Sequence, residues 1–336
     1  MNILSCKTPG EFEYLESAIP ELSEGRAIVK IKKIGICGTD LHAFEGTQPF
    51  FSYPRILGHE LAGEVVEIGD NEEIQKGDLI TVIPYFNCGT CVACRNGKPN
   101  CCQKISVFGV HEDGGMRKYV SLPISSLVKK EGVTMEQLAL AEPFAIGAHG
   151  VRRAGVKPGQ FVLVIGAGPI GLGIMEFARI AGATVIAMDI NENRLKFCKE
   201  EWGISHVVKA ETTAHEEIQR ITNGDFCDSV IDATGSLAAI NQGFQYIAHG
   251  GNYVLVGLQK GEIAFSHPEF HKREATLMSS RNATREDFDQ VLDAMASGQL
   301  SVEKYITHRV RFDQVKTDFQ SWLNPETGVI KALVEL

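Results

Sequence analysis

Short apolar runs broken by turn residues pattern the first part of the chain. AIVKIKKIGI (27–36), AGEVVEIG (62–69), DLITVIPY (78–85) and MRKYVSLP (116–123) are short β-branched runs separated by Gly, Pro and Asp. Many short strands between turn residues predict a compact, barrel-like β domain reaching to about residue 145. The texture then changes at VKPGQFVLVIGAGPIGLGIMEFARIAGATVIAMDINENRLKFCKEEWG, where wholly apolar strands alternate with helix-length amphipathic segments. That alternation predicts a parallel sheet with crossover helices. It continues through CDSVIDATG, a helix expected over Ala238 to His249, GNYVLVGL, the strand-like ATLMSS and the helical REDFDQVLDAMASG. Short strands return after Gly298 in YITHRVRF and VIKALVEL, so the C-terminus is expected to pack back onto the first domain. The predicted class is α/β: a β-rich domain of residues 1–145 and 299–336, and a doubly wound parallel-sheet domain of residues 146–298.

A length of 336 residues, 44% hydrophobic and 22% charged, agrees with two soluble globular domains. The formal net charge of −9 offers no basic field, which argues against nucleic acid or an anionic membrane as partner. MNILSCKTPGEF has neither a signal-peptide nor a transit-peptide pattern, and no run approaches eighteen apolar residues. A cytoplasmic protein is expected. In a reducing compartment nine cysteines, an odd count, read as metal ligands before disulfides.

Gly166, Gly168 and Gly171 stand in GxGxxG spacing, directly after a buried-strand run and before a helix. The first glycine permits a tight turn, the second lets backbone approach a pyrophosphate, and the third lets helix and strand pack closely. The helix N-terminus then offers free N–H groups to the phosphates. Asp189 ends the next strand, 18 residues after Gly171, where a carboxylate binds ribose hydroxyls and repels a 2′-phosphate. NAD is therefore expected over NADP; Arg194, five residues on, could approach a phosphate but is expected to pack over the adenine or face solvent. Further candidate cofactor contacts are Pro169, Ile170, Thr234, Val256, Gly257 and Leu258.

FNCGTCVACRNGKPNCC (86–102) holds five cysteines. Cys88, Cys91 and Cys94 with Cys102 could close a tetrahedral zinc site, which leaves no position for water or substrate; such a site builds structure. Cys101 is the rival for the fourth place, although spacing favours Cys102. An open site must be assembled elsewhere, and Cys37, His59 and Glu60 offer a thiolate, an imidazole and a carboxylate suited to zinc with an exchangeable position. Glu142, before a proline where the domains join, is a further candidate, or else a helix-capping acid.

In the order GICGTDLH, GHE, CxxCxxC with a distant fourth cysteine, EP and GAGPIG, the chain resembles the zinc-dependent medium-chain alcohol dehydrogenases, and in particular their sorbitol (polyol) branch. The resemblance covers essentially the whole chain. It implies a GroES-like catalytic domain, a Rossmann domain, and two zinc ions per chain, one catalytic and one structural. It places the catalytic zinc on Cys37 and His59, with Glu60 as a direct or alternating ligand and Glu142 as a ligand or the holder of a zinc-bound water. Zinc would lower the pKa of a substrate hydroxyl, and NAD would accept the hydride. The resemblance also implies a proton relay through Thr39 and His42, and a homo-oligomer, dimer or tetramer.

Within that branch, TQPFFSYPRILGHE, KISVFGVHEDGG, EPFAIGAHGVRRAG and HPEFHKREATLMSSRNATREDF are most similar to bacterial sugar-acid dehydrogenases. The implied substrate is a hexonate such as L-galactonate or L-gulonate, oxidised at C5; a neutral polyol, L-threonine, or no substrate at all in a cofactor sensor are the alternatives. An aldonate needs a cation for its carboxylate. Arg281 is the first candidate, with Arg55 and His111 behind it.

Overall fold

The computed structural model describes residues 1–48 and 51–336; Pro49 and Phe50, within TQPFFSYPRILGHE, lie outside the described residues. The chain forms two compact units, Met1–Pro143 with Thr284–Leu336, and Phe144–Ala283.

In the first unit the ten-residue strand Arg26–Gly35 is the hub. It pairs antiparallel with Glu60–Ile68, Tyr119–Pro123 and Lys331–Glu335, and the sheet extends outward through Leu79–Val82 and Leu127–Val128 on one side and Ile306–Arg311 on the other. Two register shifts against Glu60–Ile68 bend the hub, as bulges do. A smaller sheet joins Asn2–Thr8, Glu11–Glu16 and Arg55–Ile56. The short β-branched runs read from the sequence become a core of Val29, Ile31, Leu61, Val65, Ile80, Val82, Val120 and Leu122, continued by Phe12, Phe44 and Phe319.

The chain returns to the first unit earlier than expected. Helix Arg285–Ala296, read as part of the parallel-sheet domain, belongs to the first unit. The Gln137 amide donates to the Met295 carbonyl at 3.5 Å, Lys130 pairs with Asp293, and the helix buries Phe288, Val291, Leu292 and Met295. An amphipathic helix shows which face is buried but not what it is buried against, so the boundary was invisible in the periodicity.

The second unit is a six-stranded parallel sheet in the order His206–Lys209, Thr184–Asp189, Phe161–Ile165, Cys227–Asp232, Ile247–Leu255, Thr276–Ser279. Taken in chain order this is 3-2-1-4-5-6, the doubly wound arrangement expected. The helix expected over Ala238 to His249 ends at Gly243, continues as a 3₁₀ turn over Phe244–Tyr246, and gives way to strand Ile247–Leu255. Gly250, with φ of 79°, sits inside that strand and concealed its start. Among the described residues no helix is long and apolar enough to cross a membrane.

Candidate metal centre and cofactor site

Cys37 follows the hub strand and caps helix Gly38–Glu45; His59 and Glu60 open the neighbouring strand. The pairing Gly35↔Glu60 therefore brings the two segments together, and the ligand atoms of Cys37, His59 and Glu60 lie within 4.8 Å of one another. Gly35 has no side chain here because a Cβ would come within 2.0 Å of Glu60 Oε2. Asp40, wholly buried, ties the segments: Oδ2 accepts the Cys37 N–H at 2.9 Å and Oδ1 accepts the Gly58 N–H at 3.1 Å. Behind them the backbone of Gly114 and Gly115 packs on residues 56–58, with the Gly115 N–H donating to the Gly58 carbonyl at 2.8 Å. A Cβ on Gly114 would lie 2.4 Å from that same oxygen.

Two carboxylates occupy this buried region, and different partners hold them. Both Glu60 oxygens accept from Lys331 Nζ, at 2.6 and 2.7 Å, and Lys331 also donates to the Ile36 carbonyl at 2.9 Å. Burial alone would lower the Lys331 ammonium, but Glu60, with Cys37 and Glu142, outweighs it and the group is held above its ordinary range. The ammonium also sits 5.9 Å from the ring centre of buried Tyr305. Glu142 lies outside the close trio and accepts from the Tyr85 hydroxyl. Burial pushes the Glu142 carboxyl up, against the opposing pull of His59. Burial and Glu142 together hold the Tyr85 phenol well above its usual range, so it acts as the donor.

Of the expected relay, Thr39 is half-buried on the helix after Cys37, and exposed His42 approaches Glu45 at 3.3 Å and Thr47 at 3.4 Å. Arg55 is engaged by Ser52 Oγ at 2.8 Å and more loosely by Asp113 at 3.4 Å. His111 is exposed and its Nδ1 accepts the Val107 N–H at 2.9 Å. Arg281 is exposed and belongs to the second unit.

The sulfurs of Cys88, Cys91, Cys94 and Cys102 also lie within 4.8 Å of one another, with all nine cysteines free of disulfides. Cys101 is exposed and outside the group. Hydrogen bonds from Thr90 bring Cys88 down to about 5, while burial and Cys91 push Cys94 up to about 11. So many sulfurs at this spacing cannot all ionise unless a cation shares them, and four thiolates suit zinc in a closed site. The mixed thiolate, imidazole and carboxylate trio fits the same metal with a position to spare.

In the second unit Gly166 has φ of 100°, and a Cβ on Gly171 would meet the Gly166 carbonyl at 1.8 Å. No other residue type fits that helix–strand contact. Gly168 caps helix Pro169–Ile180, so Pro169 and Ile170 form its first turn. Asp189 Oδ2 accepts the Ala167 N–H at 2.7 Å, which pins the carboxylate to the glycine turn. Arg194 reaches the turn too, its Nη1 lying 3.5 Å from where a Cβ on Gly168 would stand. Thr234 follows strand Cys227–Asp232 and bonds Asp232 at 2.9 Å; Val256, Gly257 and exposed Leu258 follow the next strand. These residues gather at the carboxyl ends of the parallel strands, where dinucleotides bind in such sheets.

Family models match a segment in each unit, the second of them running on through helix Arg285–Ala296. Residues 23–132 match the alcohol dehydrogenase GroES-like domain and residues 169–297 the zinc-binding dehydrogenase model. L-galactonate-5-dehydrogenase of Escherichia coli K12 is 43% identical over 99% of this chain and 98% of its own length. The chain belongs to the zinc-binding alcohol dehydrogenase family. Other members include a probable D-xylulose reductase A of Aspergillus clavatus, 34% identical over 92% of this chain and 90% of its own. Among solved structures, an alcohol dehydrogenase of Escherichia coli CFT073 in complex with NADH is 29% identical, with a TM-score of 0.93 over 100% of this chain and 99% of its own.

Reading the sequence did not single out Asp40, Tyr85, Lys331 or Tyr305. Two of them left a signal. Asp40 stands three residues after the helix-capping Cys37, the spacing of a capping box. Lys331 interrupts the apolar run VIKALVEL, whose strand is buried from Lys331 to Val334.

Proposed function

We propose that this member of the family is a zinc- and NAD-dependent dehydrogenase of a sugar acid, which oxidises the C5 hydroxyl of L-galactonate, or of its epimer L-gulonate, to the keto acid. The likeness to L-galactonate-5-dehydrogenase along nearly the whole chain carries this reading. The trio of half-buried Cys37 with buried His59 and Glu60 agrees with it. Bound zinc would supply a Lewis acid for the substrate hydroxyl, and bound NAD the hydride acceptor. Cys37 and His59 hold the metal, Glu60 completes the ligand set from its Lys331 clamp, and Glu142 orients the reacting hydroxyl. Thr39 and exposed His42 carry the released proton to solvent. Asp189 holds the adenosine ribose, the glycine turn cradles the pyrophosphate, and Cys88, Cys91, Cys94 and Cys102 hold the structural zinc. Nine free thiols suit the cytosol.

Arg281, which follows the outer strand Thr276–Ser279 of the parallel sheet, remains the cation assigned to the substrate carboxylate. Steady-state NADH formation with L-galactonate, L-gulonate, sorbitol, xylitol and L-threonine tests the substrate class. A hexonate should exceed the hexitols in kcat/KM by about 100-fold, roughly the value of a hydrogen bond to a charged group. Preference for xylitol or sorbitol would move the assignment to the polyol reading, which the D-xylulose reductase likeness supports.

For quaternary structure we infer a homo-oligomer built on strand Thr276–Ser279. It is the outer strand of its sheet and leaves Thr276, Leu277 and Ser279 exposed, an edge ready to pair with a second copy. Met278→Pro should shift sedimentation towards the monomer without loss of the helical circular dichroism signal. Unchanged sedimentation would place any interface elsewhere.

A further inference from the structure

Glu142 is buried, and among the described residues its one hydrogen-bond donor is the Tyr85 hydroxyl, on Oε1. Glu60 differs, since Lys331 occupies both of its oxygens. A buried carboxylate is placed by its donors, and Glu142 with a single donor keeps its second oxygen for other work.

Tyr85 has a firm mount. Strand Tyr85–Phe86 pairs with Ser106–Val107 in register Tyr85↔Val107 and Phe86↔Ser106. The Phe108 N–H donates to the Pro84 carbonyl at 2.9 Å, and the Phe86 and Phe108 rings lie 6.1 Å apart. This ribbon clips together the two ends of the segment bearing Cys88, Cys91, Cys94 and Cys102. The lobe's base therefore carries the hydroxyl that holds Glu142.

We propose that Tyr85 is a positioning residue for the reaction: its hydroxyl, fixed on the ribbon beneath the cysteine lobe, sets the Glu142 carboxylate against the catalytic metal. This rests on Glu142 belonging to the catalytic site, and the test separates the two claims. The holoenzymes compared are wild type, Tyr85→Phe, Glu142→Gln and the double variant. Each is measured for kcat and KM, and for its visible absorption spectrum with cobalt in the catalytic position.

Tyr85→Phe should lower kcat about 10-fold or more, the loss of one hydrogen bond to a charged group, and shift the cobalt bands. In the Glu142→Gln background it should change either readout little, because Tyr85 acts through Glu142. A wild-type spectrum and kcat in Tyr85→Phe, or effects that simply multiply in the double variant, would overturn the inference. A Glu142→Gln enzyme with wild-type kcat and spectrum would instead remove Glu142 from the site. Should Tyr85→Phe fail to fold, the infrared difference between Glu142→Gln and wild type decides. It should contain a shifted tyrosine C–O stretch, and its absence would also overturn the inference.

Discussion

Lys331 shows how much one buried charge can matter. Its ammonium is 2% exposed against a Glu60 carboxylate at 0%, and all three of its hydrogens are accounted for by Glu60 and the Ile36 carbonyl. Such a pair offsets its desolvation only while both partners remain. Lys331→Met should lower unfolding free energy by about 3–5 kcal/mol in urea titrations, because the buried Glu60 carboxylate loses its ammonium partner. The double variant Lys331→Met/Glu60→Leu should regain much of that loss. If the single change proved harmless, the pair would not be charged in the folded protein. The residue also shows a limit of pattern reading. Alternation reveals that a position faces inward, but a lysine there looks like an error until the strand carrying Glu60 is seen beside it.

Segments are tied at the level of elements by a surface network. The Glu136 carboxylate, on the short helix Met135–Ala139, accepts from Arg309 Nε and Nη2, both at 3.1 Å, and approaches Lys33 at 3.5 Å. The Arg309 hydrogen bond holds the Glu136 carboxyl below its ordinary value. A folded pKa below the unfolded one stabilises at pH above the unfolded value, and that stability is lost as pH falls through the folded value. The difference in urea midpoint between wild type and Glu136→Gln should therefore be present at neutral pH and vanish on acidification below about pH 4. About 1 kcal/mol is the ceiling, since the network faces solvent. A difference that grew on acidification would contradict the assignment. None of these three residues is close to another in sequence, so composition alone could not pair them.

Across the whole molecule, the proposed function gives the two cysteine-containing clusters different tasks. Mild chelation should first remove zinc from the Cys37, His59 and Glu60 trio, abolishing turnover while the melting temperature changes little. The four-sulfur lobe should release its zinc later, and with it stability. Metal analysis, activity and melting temperature followed on one sample check this order. Simultaneous loss of both ions would mean that the sites do not differ in openness.

Local chemistry was enough to make several features legible from residues alone. GxGxxG followed by Asp189 marked a tight strand–helix turn, because close backbone approach tolerates only glycine at Gly171. CxxCxxC marked a cluster of sulfurs, and short β-branched runs marked the β-rich unit. Tertiary structure alone decided what depends on partners far apart in the chain. It put Cys102 in the sulfur cluster and left Cys101 outside, and returned helix Arg285–Ala296 to the first unit. It also gave Glu60 to Lys331, 271 residues away, and Glu142 to Tyr85, 57 residues away. A spacing motif is fixed by covalent geometry over a few residues; which carboxylate meets which donor is fixed only when the sheet closes and burial forces every polar group to find a partner.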